Sequence, residues 1–275
     1  MKVKKFKALI EIIRPLNCIM AGVAVVVGAI VGVGLDLSFI PLILIAVLAA
    51  FFVTAGGNTM NDYFDRDIDI ISHKERPIPS KRLFPKEAIQ FAVVSFIIGF
   101  FLAAFINLLC LAIAAFNTLL LVFYDKHFKQ TGLGGNMIIS YLVASTFLFG
   151  GAAVDRIVIT GILFTLAFLA NLDREIIKDV EDISGDTGKR RTLPMIMGER
   201  KSVIIASSCV ILAVLLSPLP LIWNILGRGY LIVVLADLIF IASIPVSLRS
   251  AHNGQKLVKI GMFFALISFI LGGIL

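Results

Sequence analysis

The sequence predicts an all-α, polytopic membrane protein: nine transmembrane helices in one bundle, built on a parallel four-helix internal repeat. Three observations carry that reading. Apolar residues make up 59% of the 275-residue chain and mean hydropathy is +1.00, with the apolar residues gathered into runs near the roughly 20 needed to cross a bilayer. Basic residues are segregated: 23 of the 25 Lys and Arg fall at the N-terminus or around the loops after spans 2, 4, 6 and 8, and the opposite side holds only Arg156 and Arg228. Finally, aspartates at 62, 65 and 69 recur with the same spacing at 179, 182 and 186, 117 residues further on, with Pro77 matched by Pro194.

The spans read in order as 15–34, 40–61, 88–106, 108–124, 134–153, 157–177, 203–221, 230–248 and 257–275. Span 1 opens at Pro15, a residue suited to the first turn of a helix, and its Gly22, Gly28, Gly32 and Gly34 suggest close helix packing. Span 2 runs into the first aspartate motif and span 6 into the second, so four helices separate the copies. An even number of crossings returns both motifs to one membrane face. Spans 3 and 4 are nearly continuous, and span 5 starts at Gly134-Gly135-Asn136. The loops after the motifs, roughly 63–86 and 179–201, are the longest. No hydrophilic stretch is long enough for a separate soluble unit, so residues 1–275 form a single transmembrane domain.

Positive charge on one side places the N-terminus and both motif loops in the cytoplasm, and nine crossings put the C-terminus outside. The expected setting is the cell membrane, with the active site facing the cytoplasm and membrane lipids all around. The net charge of +7 belongs to those loops, where topology and anionic headgroups explain it without nucleic acid. The basic start, Met1 to Lys7, resembles the n-region of a signal peptide, but span 1 has no A-x-A cleavage site, and a retained first helix is expected. Cys18, Cys110 and Cys209 lie far apart in apolar segments and fit neither a metal spacing nor a structural disulfide. Nothing in the sequence calls for an obligate protein partner.

Within each motif, offsets of 0, 3 and 7 put the aspartates on one helical face. Asn58 lies on that face four residues before Asp62, as Glu175 does before Asp179, while Asp67 and Glu181 fall off it. A lone aspartate at a helix end is an ordinary solvated charge. Two copies of a three-aspartate pattern are different, because anions gathered at helix C-termini near a bilayer need compensation from metal ions or from Lys and Arg. Carboxylate clusters meeting over one pocket suit hard divalent cations and, through them, a phosphorylated ligand. The segment 73–82 supplies Arg76, Lys81 and Arg82 beside two prolines, and Arg76 and Arg82 suit a two-pronged grip on phosphate. Lys129 and Asn136 lie on the same side between the motifs. Lys189, Arg190 and Arg191 follow the second motif, and Arg14 and Asn17 stand at the mouth of span 1.

These residues resemble the UbiA superfamily of intramembrane prenyltransferases. The resemblance covers nearly the whole chain: the nine helices, N-D-x-x-D-x-x-x-D at 61–69, D-x-x-x-D at 182–186 preceded by Asp179, R-P-x-P-S at 76–80, and the Tyr124, Lys129, Gly135-Asn136 segment. The Arg14-to-Asn17, Lys178-to-Asp186 and Thr192-to-Pro194 segments look most like those of the archaeal ether-lipid enzymes. One departure is Lys81, where the family loop usually has glycine.

The resemblance implies catalytic roles for Asp62, Asp65, Asp182 and Asp186, which with Asp69 and Asp179 would hold Mg2+ against a prenyl diphosphate. Asn58, Arg76, Arg82, Lys129, Tyr124, Asn136 and Lys178 would line the substrates, and Arg14, Asn17 and Lys189 would meet the phosphate of a lipid-like acceptor. In the archaeal enzymes a geranylgeranyl group passes to the sn-2 hydroxyl of geranylgeranylglyceryl phosphate. Two alternatives remain open at this point: an aromatic acceptor such as 4-hydroxybenzoate, and an ion-coupled transporter, whose acids would instead be expected near mid-membrane within inverted repeats.

Overall fold

The computed structural model describes residues 2–129, 131–183 and 192–275. Among these residues every regular element is helical, and nine segments are long and apolar enough to cross a membrane. The chain is a multi-pass membrane protein. A short helix, α1 (Lys2–Ile12), precedes the spans. Then come α2 (Pro15–Val33), α3 (Ile40–Ser72), α4 (Pro85–Ile106), α5 (Leu108–Phe123), α6 (Leu133–Ala153) and α7 (Ile157–Asp182). After α7 follow α8 (Leu193–Met197), α9 (Glu199–Leu216), α10 (Leu219–Ile222), α11 (Val233–Arg249) and α12 (Ala251–Ile274).

The principal pairings are α3 on α4, α6 on α7 and α11 on α12, while α2 packs against α3, α6, α7 and α12. The α2–α6 crossing shows why span 1 is rich in glycine. A Cβ at Gly28 would lie 2.3 Å from the Phe147 carbonyl oxygen, and one at Gly150 2.1 Å from that of Val25. Any side chain at either position would push the two helices apart. Around that crossing, Val27, Phe147, Leu163, Leu166, Tyr230 and Phe269 belong to the largest buried cluster. Large apolar side chains such as Phe101, Leu108, Leu119 and Val158 instead face outward, as lipid contact requires.

The site is positioned by three departures from the expected element limits. First, α3 continues eleven residues past 61, to Ser72. Its 33 residues give a length of about 50 Å at 1.5 Å per residue, against a hydrocarbon core of about 30 Å. No Gly or Pro interrupts residues 58–72, so the helix runs on after the apolar signal ends. The whole first motif is therefore helical, and the connecting loop shrinks to residues 73–84. Second, the N-terminal segment folds as α1, with Ala8 and Ile12 buried against Ile78 and Leu83 of that loop and Ala88 of α4. Third, α12 begins at Ala251, with Ser250 accepting from the Asn253 amide as its N-cap, so almost no loop separates it from α11.

Candidate active site

The first motif is a line of buried carboxylates along one face of α3. Asp62, Asp65 and Asp69 are 3%, 8% and 3% exposed, whereas the Asp67 side chain, on the opposite face, is 78% exposed. Each buried aspartate receives a cation from a different part of the chain. Arg14 Nη2 donates to Asp62 Oδ1 at 2.5 Å, Arg76 Nη1 donates to Asp69 Oδ2 at 2.7 Å and stands 3.6 Å from Asp62 Oδ1, and Lys129 Nζ donates to Asp65 Oδ2.

Local structure explains how those cations arrive. Arg14 sits in the elbow between α1 and α2 with φ 51°, a left-handed conformation costly for a side-chain-bearing residue and doubly so before proline. Asn58, one turn before Asp62, donates from Nδ2 to the Ile13 carbonyl at 2.8 Å and so pins this elbow. Asn58 thus acts on the backbone that presents Arg14. Arg76 is delivered by the 73–84 loop, where the Ser80 amide donates to the Arg76 carbonyl and those of Arg82 and Leu83 both donate to the Pro77 carbonyl. Lys129 follows a π-helical turn, Tyr124–Phe128, a form that tends to occur at functional positions.

The second motif lies at the end of α7. Asn136, near the start of α6, donates from Nδ2 to Asp179 Oδ2 at 2.8 Å. Asp179 is half-buried, while Asp182, the last residue of α7, is exposed, as is Lys178. One turn earlier, Glu175 accepts from Arg174 Nη1 at 2.5 Å, with Lys178 Nζ 3.9 Å away. Glu181 turns aside to His252 of α12 at 2.6 Å. The connection from the π-helical turn to α6 therefore touches both motifs, Lys129 on the first and Asn136 on the second. A Cβ at Gly135 would lie 2.9 Å from the Phe128 carbonyl, so glycine lets this connection close tightly.

The profile of the UbiA prenyltransferase family matches residues 21–267. The chain belongs to that family. It is 43% identical over 270 residues to digeranylgeranylglyceryl phosphate synthase of Methanopyrus kandleri, covering 96% of this chain and 98% of that one. Among solved structures, that of a digeranylgeranylglyceryl phosphate synthase superposes with a TM-score of 0.89 at 39% identity, covering 100% and 99% of the two chains. A UbiA homologue from Archaeoglobus fulgidus bound to DMAPP and Mg2+ shares the fold, with a TM-score of 0.66 at 17% identity over 96% and 97%. This UbiA-family chain is a prenyltransferase.

Against the UbiA pattern, most of the expected site residues converge, but their partners are partly new. Asp62, Asp65, Asp69, Arg14, Arg76, Lys129 and Asn58 form one group, joined through the Tyr124 turn to Asn136 and Asp179. Asn17 is exposed in the first turn of α2. Asp186 and Lys189 lie outside the described residues. Arg82 departs from the expected group: Nη1 and Nη2 donate to Glu11 at 2.5 and 2.8 Å, and Nη2 also donates to the Glu75 carbonyl. Lys81 explains that direction. Its φ of 59° turns the chain where the family's glycine would do so without strain, and Arg82 leaves toward α1. Sequence reasoning missed Asp125, whose signal was its i,i+4 spacing to Lys129.

Among the described residues no three His, Cys, Asp or Glu side chains form a ready metal cage. The all-carboxylate donor set nevertheless suits Mg2+, which usually takes one or two carboxylates and completes its shell with water and substrate phosphate.

Proposed function

We propose that this chain transfers a geranylgeranyl group from geranylgeranyl diphosphate to the sn-2 hydroxyl of geranylgeranylglyceryl phosphate, as an Mg2+-dependent step of archaeal ether-lipid synthesis. The observation that carries this reading is the connection between α5 and α6 joining two aspartate motifs, with Lys129 on Asp65 and Asn136 on Asp179. Two carboxylate groups linked through one connection, the first with an attendant row of cations, suit a metal-bound diphosphate. The identity to digeranylgeranylglyceryl phosphate synthases over nearly the whole chain supports the choice of acceptor.

Asp62 and Asp65 on α3, and Asp182 and Asp186 of the second motif, would hold Mg2+, with Asp69 and Asp179 assisting. The metal, when bound, supplies Lewis-acid stabilisation of the leaving diphosphate. Arg76 and Lys129 add charge where the leaving oxygen gains it. The allylic C1–O bond breaks with its electron pair going to the diphosphate. The sn-2 hydroxyl oxygen then forms the new C–O bond and gives up its proton to the departed diphosphate. Arg14, held at Asp62, is a candidate for the acceptor phosphate at the mouth of α2. Lys189 and Asn17 are the other candidates for that phosphate.

The deciding assay pairs labelled geranylgeranyl diphosphate with geranylgeranylglyceryl phosphate and, separately, with 4-hydroxybenzoate, in purified enzyme with Mg2+ or EDTA. Product from the glyceryl phosphate alone, abolished by EDTA and restored by Mg2+, is expected. Product from 4-hydroxybenzoate alone overturns the acceptor, and full turnover in EDTA overturns the role of the aspartates. Both motifs should face the cytoplasm, so single cysteines at Ser72 and Lys201, in a background lacking Cys18, Cys110 and Cys209, should label from the same side.

A further inference from the structure

Asp125 takes no part in the proposed transfer. Its side chain is fully buried on the π-helical turn between α5 and α6. Asn61 Nδ2 donates to Asp125 Oδ1 at 2.6 Å, and Lys129 Nζ lies 4.0 Å from that same oxygen. Oδ2 is buried without a hydrogen-bond partner among the described residues. Burying a carboxylate is costly unless a positive charge stands near it, and here that charge is also the one on Asp65.

Lys129 therefore stands between two carboxylates of different kinds. Asp65 belongs to the motif read above as metal-binding, while Asp125 lies outside both motifs and faces the protein interior. We propose that Asp125 is a positioning residue: a fixed counter-charge that holds Lys129 and Asn61 in place beside the first motif, whatever Asp65 is engaged with. The inference rests on the diphosphate reading for its consequence in turnover, but not for the contact itself. A lysine tethered only to Asp65 would lose its anchor whenever that carboxylate took another partner. A second carboxylate on the lysine's own turn leaves the ammonium less freedom to swing away, and pre-organised charge is what favours a departing anion.

The isosteric Asp125→Asn variant removes the charge yet still accepts from Asn61, which limits damage to folding. Two measurements decide the case. In purified protein without substrate, reductive methylation of Lys129, quantified by mass spectrometry, should proceed several-fold faster in the variant, because the amine is less tightly held. In turnover, kcat should fall about tenfold, the scale of one charge-assisted contact, with the acceptor KM nearly unchanged. In a Lys129→Ala background the same substitution should change kcat by less than about twofold, since the two residues act as one unit. An unchanged methylation rate, the absence of any kcat loss, or a loss that returns in full without Lys129 each overturns the proposal. The methylation arm stands even if the assigned substrates are wrong, so the two failures are distinguishable.

Discussion

In the first motif all three aspartates are buried on a 33-residue helix and each is met by a cation from another segment; in the second, Asp179 is half-buried beside Asn136 and Asp182 is exposed at the last residue of α7. The spacing is the same and the setting is not. The first motif is part of the packing of its end of the bundle, tying together the α1–α2 elbow, the 73–84 loop and the turn after α5. Of the second, Asp182 is the last residue of α7, and Asp186 lies outside the described residues. If both motifs hold the metal as proposed, Asp62 does so from a buried position and Asp182 from an exposed one, and substitutions should separate the two.

The largest expected effect tests that division directly. Asp62→Ala should lower kcat by about 10³-fold or more, at the upper end of what a single lost electrostatic contact costs in an active site, and should also lower the melting temperature, because Arg14 and Arg76 lose a shared partner. Asp182→Ala should cost about 10²-fold, within the same range, and leave the melting temperature near that of the parent. Turnover assays beside thermal unfolding in one detergent decide it. Equal destabilisation by the two variants would erase the contrast drawn here.

A smaller effect concerns stability alone. Arg76→Ala leaves Asp69 buried with its 2.7 Å partner gone. Losing one member of a fully buried pair costs roughly 3–5 kcal/mol, but the Arg76 side chain is 26% exposed, so solvent screening should bring the loss to about 2 kcal/mol. Conversely, Asp67→Ala, on the exposed face of the same helix, should change neither stability nor turnover. A melting temperature for Arg76→Ala equal to that of Asp67→Ala would show that the buried row does not depend on its cations.

Much of this arrangement was legible in the sequence, and the reasons for the rest are physical. Periodicity gave the buried face of α3 correctly, with 62, 65 and 69 inward and 67 outward. Apolar runs gave nine spans because the bilayer imposes a length that sequence must meet. The same criterion stopped α3 at residue 61, since hydropathy falls where the aspartates begin. No helix breaker interrupts 58–72, and what compensates the aspartates is partly tertiary: Arg14 and Lys129 reach the extension from segments distant in sequence, and Arg76 from the loop that follows it. Similarly, α1 reads as a basic leader until Ala8 and Ile12 are seen packed on Ile78 and Leu83. Asp125 looks like one loop charge among many, because burial is not written in a single residue.

The smallest effect separates two arginines of one loop. Sequence proximity alone makes Arg76 and Arg82 equal candidates for the diphosphate, yet the left-handed turn at Lys81 sends Arg82 to Glu11 on α1. That pair is partly exposed, at 33% and 44% for the two side chains, and such bridges contribute roughly 0–1 kcal/mol. Arg82→Ala should therefore leave the KM for geranylgeranyl diphosphate unchanged and alter kcat by less than about threefold, an effect no larger than that of one exposed bridge. Glu11→Ala should come close to it, because it removes both bonds of that bridge and leaves only those from Arg82 to Glu75 and Ser80. The measurement is a pair of steady-state titrations in the prenyl diphosphate. A large rise in KM for Arg82→Ala but not for Glu11→Ala would mean that Arg82 leaves Glu11 for the substrate, and the division between the two arginines would fall.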